Sequence, residues 1–191
     1  MNDPLALFED WFREAEQAGV EVPETMTLAT ADTGGAPSAR MVLLKGADED
    51  GFVFYTGYVS RKARELEQNP RAALVFYWRP LGKQVRVEGR VEHVSEAESA
   101  AYFATRPRGS QLAAWASQQS SALESRDELE RRYAELERVY ERREVPLPPH
   151  WGGFRLRPDA LEFWEHRDNR LHDRIRYTRA REGWEAERLA P

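Results

Sequence analysis

The chain has 191 residues, of which 41% are hydrophobic, and a formal net charge of −5, so it has the composition of an acidic globular domain. It contains no cysteine, which excludes disulfides, thiolate metal sites and a cysteine nucleophile. The net charge argues against general nucleic-acid binding, and no apolar run reaches the ~20 residues needed to cross a bilayer. The sequence therefore predicts a soluble cytoplasmic protein with a single domain over residues 1–191.

The N-terminal part of the chain predicts one helix followed by several strands. Asp3 and Pro4 are typical of a helix N-terminus, and apolar residues then recur at helical spacing until Gly19. Turn residues separate the strand-like segments that follow, and a short helix at 60–68 with Ser60 as its cap lies among them. The predicted strands are 25–31, 38–45, 52–56, 72–78 and 84–94.

The C-terminal part predicts two helices and then four more strands. A capping box at 95–98 opens one helix, and 127–143 is a long charged helix that a cluster of prolines ends. The strands are predicted at 153–157, 160–165, 170–178 and 184–189. Short strands with turns every ~8–12 residues favour a barrel or sandwich with helices packed outside it, which is a mainly β domain of the α+β class.

Cations occupy every second position at the start of the predicted strand 170–178. They are Arg170, His172, Arg174 and Arg176. Since alternate residues of a strand point to the same side, the pattern predicts a cationic face opposite a mostly apolar one. Such a face is either solvated or binds an anion.

Three further basic clusters are candidates for anion binding. The segment 40–45 is apolar between two terminal cations, and Arg61 and Lys62 lie at a predicted helix N-terminus, where free N–H groups favour phosphate. The third cluster consists of Tyr102, Arg106, Arg108 and Ser110. Each cluster alone is more often a solvated surface. Together they predict an α+β domain able to bind anions, up to two phosphates.

Several motifs follow one another in a set order: RMVLLK, FYT, SRKARELEQNPRAAL, TRPRGSQLAAWASQQS, EVPLPPHWGGFRL, FW and RLHDR. In this order they closely resemble the pyridoxamine 5′-phosphate oxidase family, over nearly the whole chain. The resemblance implies an FMN-binding split β-barrel, that is, a Greek-key antiparallel barrel with peripheral helices. It also implies a homodimer with FMN at the subunit interface.

The activity that the resemblance implies is oxidation of pyridoxamine 5′-phosphate and pyridoxine 5′-phosphate to pyridoxal 5′-phosphate. Dioxygen would accept the electrons and leave as hydrogen peroxide, and the amine substrate would also release ammonia. The positions matching FMN contacts are Arg40, Met41, Val42, Leu43, Leu44, Lys45, Tyr55, Thr56, Arg61, Lys62, Gln84, Gln119, Ser120, Trp164 and Arg174. Those matching contacts to the substrate phosphate are Lys45, Tyr102, Arg106 and Ser110. Arg170 and His172 would lie over the substrate ring as the catalytic pair, and no metal is expected.

The sequence departs from the family pattern in two places. Family members carry an N-terminal extension with Arg and Tyr that folds over the substrate, whereas this chain begins where the first core helix is expected. The turn 165–169 also lacks the glycine common before RLHDR. Two alternatives remain open: an FMN oxidase of the phenazine-biosynthesis type, and a non-catalytic module that binds flavin or pyridoxal phosphate.

Overall fold

The computed structural model describes residues 3–191, which form five α-helices and one antiparallel sheet of nine strands. The helices are α1 (Pro4–Gln17), α2 (Arg61–Gln68), α3 (Glu96–Thr105), α4 (Arg108–Ala116) and α5 (Arg126–Val139). The strands are β1 (Thr25–Ala31), β2 (Pro37–Leu43), β3 (Gly46–Asp48), β4 (Gly51–Gly57), β5 (Arg71–Trp78), β6 (Lys83–His93), β7 (Trp151–Glu165), β8 (Asp173–Arg179) and β9 (Trp184–Arg188). Short 3-10 turns lie at Arg79–Leu81 and Asp168–Arg170.

The long strand β7 organises the sheet. The strands pair in the order β2-β1-β5-β6-β7-β4-β3, and β8 and β9 extend the sheet from β7. Strand β7 pairs with β6 along most of its length, with β4 over its first half and with β8 over its second half. The predicted mainly β domain with peripheral helices is therefore confirmed.

Strand β7 is continuous where the sequence predicts two strands, 153–157 and 160–165. Pro158 lies between those two ranges, and proline has no N–H to donate to a neighbouring strand. Pro158 lies after the pairing with β4 ends at Leu156 and before the pairing with β8 begins at Ala160. Pro158 lies opposite Gly89 of β6, next to a register shift in that ladder. The irregular pairing accommodates the proline, so the strand continues and the predicted break was wrong.

The predicted strand 170–178 begins later than expected. In the pairing of β7 with β8, Asp173 lies opposite Glu165, so the residues between them must form the connection. Arg170 and His172 belong to that connection and not to β8. The prediction that four cations share one strand face was therefore wrong. Periodicity could not reveal this, because the neighbouring strand fixes the register.

The main core lies between α1 and the sheet. Asp3 accepts a hydrogen bond from the Leu5 backbone N at 3.0 Å, as expected of the cap that starts α1. Phe8 then projects into the core, where its ring centroid lies 4.8 Å from that of Phe52 and 5.0 Å from that of Phe76. Because Phe8 is 1% exposed, this aromatic cluster anchors α1 on the sheet.

A smaller core lies where α3 and α4 meet the start of β7. Its buried members are Phe103, Leu112, Val145 and Trp151. The two glycines after Trp151 let the chain approach its neighbours, since a Cβ on Gly152 would lie 2.0 Å from the Tyr58 hydroxyl oxygen. Tyr55 and Tyr102, which line the candidate site described below, pack against this second core.

Helix α4 and the short strand β3 were not predicted, and α5 ends at Val139, four residues before the predicted end at 143. Within residues 3–191, no helix is both long enough and apolar enough to cross a membrane.

Candidate functional site

A cavity of about 740 Å³ opens between β2, β4, the start of α2 and the segment from α3 to residue 120. Most of the predicted cofactor and phosphate residues line it. They are Arg40, Met41, Val42, Leu43, Lys45, Tyr55, Thr56, Arg61, Lys62, Tyr102, Arg106, Gln119 and Ser120. Leu44 and Ser110 are predicted site residues that are close in sequence to cavity-lining residues but do not line the cavity themselves. Leu44 is buried in the main core, and Ser110 lies in the first turn of α4.

Lys62 forms the centre of one end of this cavity. Its side chain is buried, and its Nζ donates hydrogen bonds to Thr56 Oγ1 and Gln119 Oε1, both at 3.0 Å. Burial, followed by the nearby charge of Arg40, lowers the pKa of Lys62 to about 8. Its hydrogen-bond partners within residues 3–191 are all neutral oxygens, so this ammonium lacks a counterion of its own. An uncompensated buried charge of this kind favours a bound anion.

Two arginines beside Lys62 share one buried carboxylate. Glu65 accepts hydrogen bonds from Arg61 Nε at 2.7 Å and from Arg40 Nη2 at 3.3 Å. Burial would raise the pKa of Glu65, but hydrogen bonds from Ser38, Thr30 and Arg61 outweigh it and lower the pKa to about 2. Glu65 therefore stays ionised and fixes both guanidinium groups. Sequence reasoning missed Glu65, although its spacing of four residues from Arg61 was visible.

Arg106 forms a second cationic end. Helix α3 stops at Thr105, and Arg106 adopts an extended conformation that carries it away from the helix axis. Its guanidinium carbon lies 4.7 Å from the Trp151 ring centroid, and its Nη1 is buried without a hydrogen-bond partner among residues 3–191. Burial lowers the pKa of Arg106, and the nearby Tyr102 opposes that shift. A buried donor that lacks an acceptor identifies this end as a second place for an anion.

Aromatic rings form the wall between these two ends. The Tyr55 and Tyr102 rings stack with centroids 4.0 Å apart, and Trp151 is nearly parallel to Tyr55 at 5.5 Å. Burial first, and then the charge of Glu98, raises the pKa of Tyr55 to about 12. Tyr55 is thus a neutral phenol at physiological pH, which suits contact with a planar ligand.

Lys45 lies at the cavity edge with its charge only partly offset. Its Nζ is 3.8 Å from Glu24 Oε1, and both side chains are about a quarter to a third exposed. The long distance and the exposure leave the ammonium available to a ligand.

The remaining predicted residues form a separate group that does not line the cavity. Gln84 pairs across the sheet with Trp164, and Trp164 pairs with Arg174. The His172 ring lies 4.5 Å from the Trp164 ring, and Arg170 precedes it in the turn. One copy of the chain therefore brings the predicted site residues together in two sets.

Backbone and side-chain contacts hold this second set in place. Arg174 donates to Glu162 Oε1 at 2.9 Å and to the Ala190 carbonyl at 2.8 Å. His172 Nδ1 lies 3.1 Å from the Arg167 backbone N, which donates to it. A neutral His172 that accepts this bond must carry its proton on Nε2. Arg170 has a left-handed φ of 61°, which costs energy for a residue with a Cβ.

Two sequence profiles of known families match the chain. One, described as pyridoxamine 5′-phosphate oxidase, matches residues 12–140. The chain belongs to the pyridoxamine 5′-phosphate oxidase family. The other profile, the pyridoxine 5′-phosphate oxidase C-terminal dimerisation region, matches residues 151–191, which contain every member of the second set except Gln84.

Curated relatives of the family agree with this assignment. A pyridoxine/pyridoxamine 5′-phosphate oxidase of Rubrobacter xylanophilus is 62% identical over 189 residues, covering 99% of this chain and 87% of that protein. The enzyme of the same name from Burkholderia mallei is 56% identical over 192 residues, covering 99% of this chain and 89% of that protein.

Solved structures of the family confirm the predicted split-barrel fold. PhzG from Burkholderia lata, crystallised with tetrahydrophenazine-1-carboxylic acid, is 34% identical with a TM-score of 0.95, covering 100% of this chain and 94% of that one. An FMN-binding protein of Nostoc punctiforme related to pyridoxamine 5′-phosphate oxidase has a TM-score of 0.76 at 19% identity, covering 95% of this chain and 96% of that one. At this low identity, the similarity to the Nostoc punctiforme protein supports the fold alone.

Proposed function

We propose that this chain is an FMN-dependent oxidase that converts pyridoxamine 5′-phosphate and pyridoxine 5′-phosphate to pyridoxal 5′-phosphate. Dioxygen is the electron acceptor and hydrogen peroxide a product, with ammonia released from the amine. One observation carries the proposal: the cavity has two cationic ends, around Lys62 and around Arg106, with aromatic rings between them. That arrangement suits two phosphate-bearing molecules, one at each end.

The end around Lys62 fits the FMN phosphate. Arg61 and Lys62 occupy the first turn of α2, where the helix dipole adds to their charge. Among the described residues 3–191, Lys62 has only neutral hydrogen-bond partners, so an incoming phosphate would supply a counterion. The cavity-lining residues of the segment 40–45, together with Tyr55, would contact the flavin beyond the phosphate. When bound, FMN supplies a two-electron acceptor that dioxygen reoxidises.

The end around Arg106 fits the substrate phosphate. Arg106 offers a buried Nη1 that has no hydrogen-bond partner in the described part of the chain, and Lys45 and Tyr102 line the same cavity. These groups would hold the substrate by its phosphate and so fix the position of its ring. Ser110 remains a predicted contact.

The set around Arg174 would complete the site from a second copy of the chain. The match of residues 151–191 to a dimerisation region supports a homodimer. Arg170 and His172 of one copy would then lie over the substrate held by the other, with Arg174, Trp164 and Gln84 against the flavin. In this role, Arg170 orients and polarises the substrate ring, and His172 donates through Nε2.

A phenazine-type oxidase is the second candidate, because PhzG is 34% identical to this chain and shares its fold. The ligand named for PhzG, tetrahydrophenazine-1-carboxylic acid, carries a carboxylate and no phosphate. Arg106 and Lys45 line the same cavity and would give a phosphate dianion two cations to contact, which favours a phosphorylated substrate.

A direct assay decides between these candidates. The FMN-loaded protein is mixed with pyridoxamine 5′-phosphate in air, and pyridoxal 5′-phosphate and hydrogen peroxide are measured. We expect equal amounts of both products. Unphosphorylated pyridoxamine is the control and should react far more slowly. Turnover of a reduced phenazine carboxylate without turnover of the phosphopyridine would favour the second candidate, and flavin binding without any turnover would indicate a binding module.

A further inference from the structure

The arginines of the cavity are held in two different ways. Arg40 and Arg61 are fixed by the carboxylate of Glu65, which also offsets much of their charge. Arg106 instead lies over the Trp151 ring at 4.7 Å and near the Phe103 ring at 5.8 Å. An aromatic face attracts a guanidinium without accepting its in-plane hydrogen bonds or cancelling its charge.

The Trp151 ring is itself fixed on two sides. It lies nearly parallel to Tyr55, at an interplanar angle of 12°, and meets Phe103 edge-on with centroids 5.2 Å apart. Trp151 starts β7 opposite Gly57 and is 8% exposed. A ring held this firmly restricts the guanidinium that rests on it, so Arg106 is positioned before any ligand arrives.

We propose that Trp151 is a positioning residue that holds the Arg106 guanidinium ready for a substrate phosphate while leaving its charge uncompensated. The buried Nη1, which no atom of residues 3–191 accepts from, is the donor that such an arrangement keeps available. The inference rests on the proposed function for the identity of the phosphate, and it adds a residue absent from the contacts that the family resemblance implies. A carboxylate in the place of Trp151 would hold Arg106 equally well but would repel the phosphate.

Two substitutions separate the aromatic face from simple packing. Trp151→Leu keeps a large apolar side chain but removes the aromatic ring under the Arg106 guanidinium. Trp151→Phe keeps an aromatic ring there, although a smaller one. Phe154→Leu is the matched control, since Phe154 is a buried aromatic residue of the same strand that packs on Phe54 and not on Arg106. Each FMN-loaded variant is titrated with pyridoxal 5′-phosphate by calorimetry and assayed with pyridoxamine 5′-phosphate.

We expect Trp151→Leu to weaken pyridoxal 5′-phosphate binding and raise KM about tenfold, with kcat within about twofold of wild type. Trp151→Phe should lower the affinity for pyridoxal 5′-phosphate about threefold, and Phe154→Leu should bind that molecule as tightly as wild type does. In an Arg106→Ala background, Trp151→Leu should cause no further loss, because the residue acts through Arg106. FMN affinity should change far less than pyridoxal 5′-phosphate affinity, because the cations expected to hold the FMN phosphate, Arg61 and Lys62, are positioned by Glu65, Thr56 and Gln119.

Three results would overturn the inference: wild-type affinity in Trp151→Leu, an equal loss in Phe154→Leu, or a full additional loss in the Arg106→Ala background. If Trp151→Leu does not fold, Trp151→Phe and its combination with Arg106→Ala give the same comparison. The binding arm also separates this inference from the proposed function. If the wild-type protein binds pyridoxal 5′-phosphate but does not oxidise pyridoxamine 5′-phosphate, only the proposed function is contradicted. If it neither binds the first nor oxidises the second, the proposed function and the inference about Trp151 are both contradicted.

Discussion

The cavity wall and the connection from β7 to β8 carry similar cations in opposite settings. In the wall, Lys62 is 7% exposed and its donors are all directed at atoms of the same chain. In the connection, Arg170 is exposed in a left-handed conformation, and the neighbouring Leu171 is 69% exposed. The cavity wall thus holds Lys62 by contacts within one copy, whereas the connection exposes Arg170 and Leu171, which suits contact with a second copy. The difference indicates that cofactor affinity depends mainly on the wall, and turnover mainly on the connection.

The largest expected effect is loss of flavin from the wall. Changing Arg61 and Lys62 together to Ala removes two charge-assisted contacts to phosphate, each worth roughly 1.5–3 kcal/mol. FMN affinity should fall by about a hundredfold or more, measured by quenching of flavin fluorescence. Arg64→Ala is the control, because Arg64 lies on the same helix and its Nη1 is directed at the Val59 carbonyl. Unchanged affinity in the double variant would place the phosphate elsewhere.

A smaller loss, confined to turnover, is expected from the connection. Arg170→Ala should lower kcat by about tenfold to a hundredfold while FMN binds normally, since the guanidinium orients the substrate ring. Arg170→Lys should be nearly as poor, because an ammonium cannot reproduce the planar fork. Arg174→Ala should instead weaken FMN. Steady-state kinetics and flavin titration on the same proteins check this division. Flavin loss in Arg170→Ala with normal turnover at saturating FMN would show that it is wrong.

The pH dependence of flavin binding should report on Lys62. Its pKa of about 8 in the free protein means that it loses its charge above pH 8, whereas a bound phosphate favours the charged form. FMN binding should therefore take up a proton above pH 8, and affinity should fall by up to about tenfold per pH unit there. Lys62→Arg keeps its charge, so its affinity should stay flat between pH 7 and 9.5. An identical slope in this variant would rule out Lys62 as the titrating group.

Mixing two defective variants gives the smallest effect but tests the shared site directly. The Arg61→Ala/Lys62→Ala variant lacks the cations of the cavity wall, and the Arg170→Ala variant lacks the arginine of the connection. Each variant should therefore be nearly inactive as a homodimer. If the two sets meet across the interface, each hybrid dimer regains one intact site. After refolding at equal amounts, about a quarter of wild-type activity should return. No recovery, with hybrids verified by native mass spectrometry, would mean that both sets act within one copy.

Local signals in the sequence predicted much of the fold. Ser60 and Asp3 cap their helices as predicted, and β1 spans the predicted residues 25–31. These features depend on contacts within a few residues, which spacing and residue type reveal. The late start of β8 depends on the pairing of Asp173 with Glu165, and that is set by a neighbouring strand.

The site was predictable to a similar degree. The resemblance to the family indicated which residues line the cavity, including Lys62 and Arg106. It did not indicate Glu65 or Trp151, because each acts on a cation and neither was among the matched contacts. Trp151 is distant in sequence from Arg106, and only the fold brings the ring under the guanidinium.

The buried Glu65 has a consequence for the order of assembly. Arg40, Arg61 and Lys62 would repel one another in a chain that folds before flavin is available, since a cluster of like charges opposes compaction. Glu65 is an internal counterion that is present from synthesis, with a pKa of about 2 that keeps it charged at any physiological pH. The carboxylate therefore lowers the electrostatic cost of folding the apoprotein, which would allow cofactor loading to follow folding.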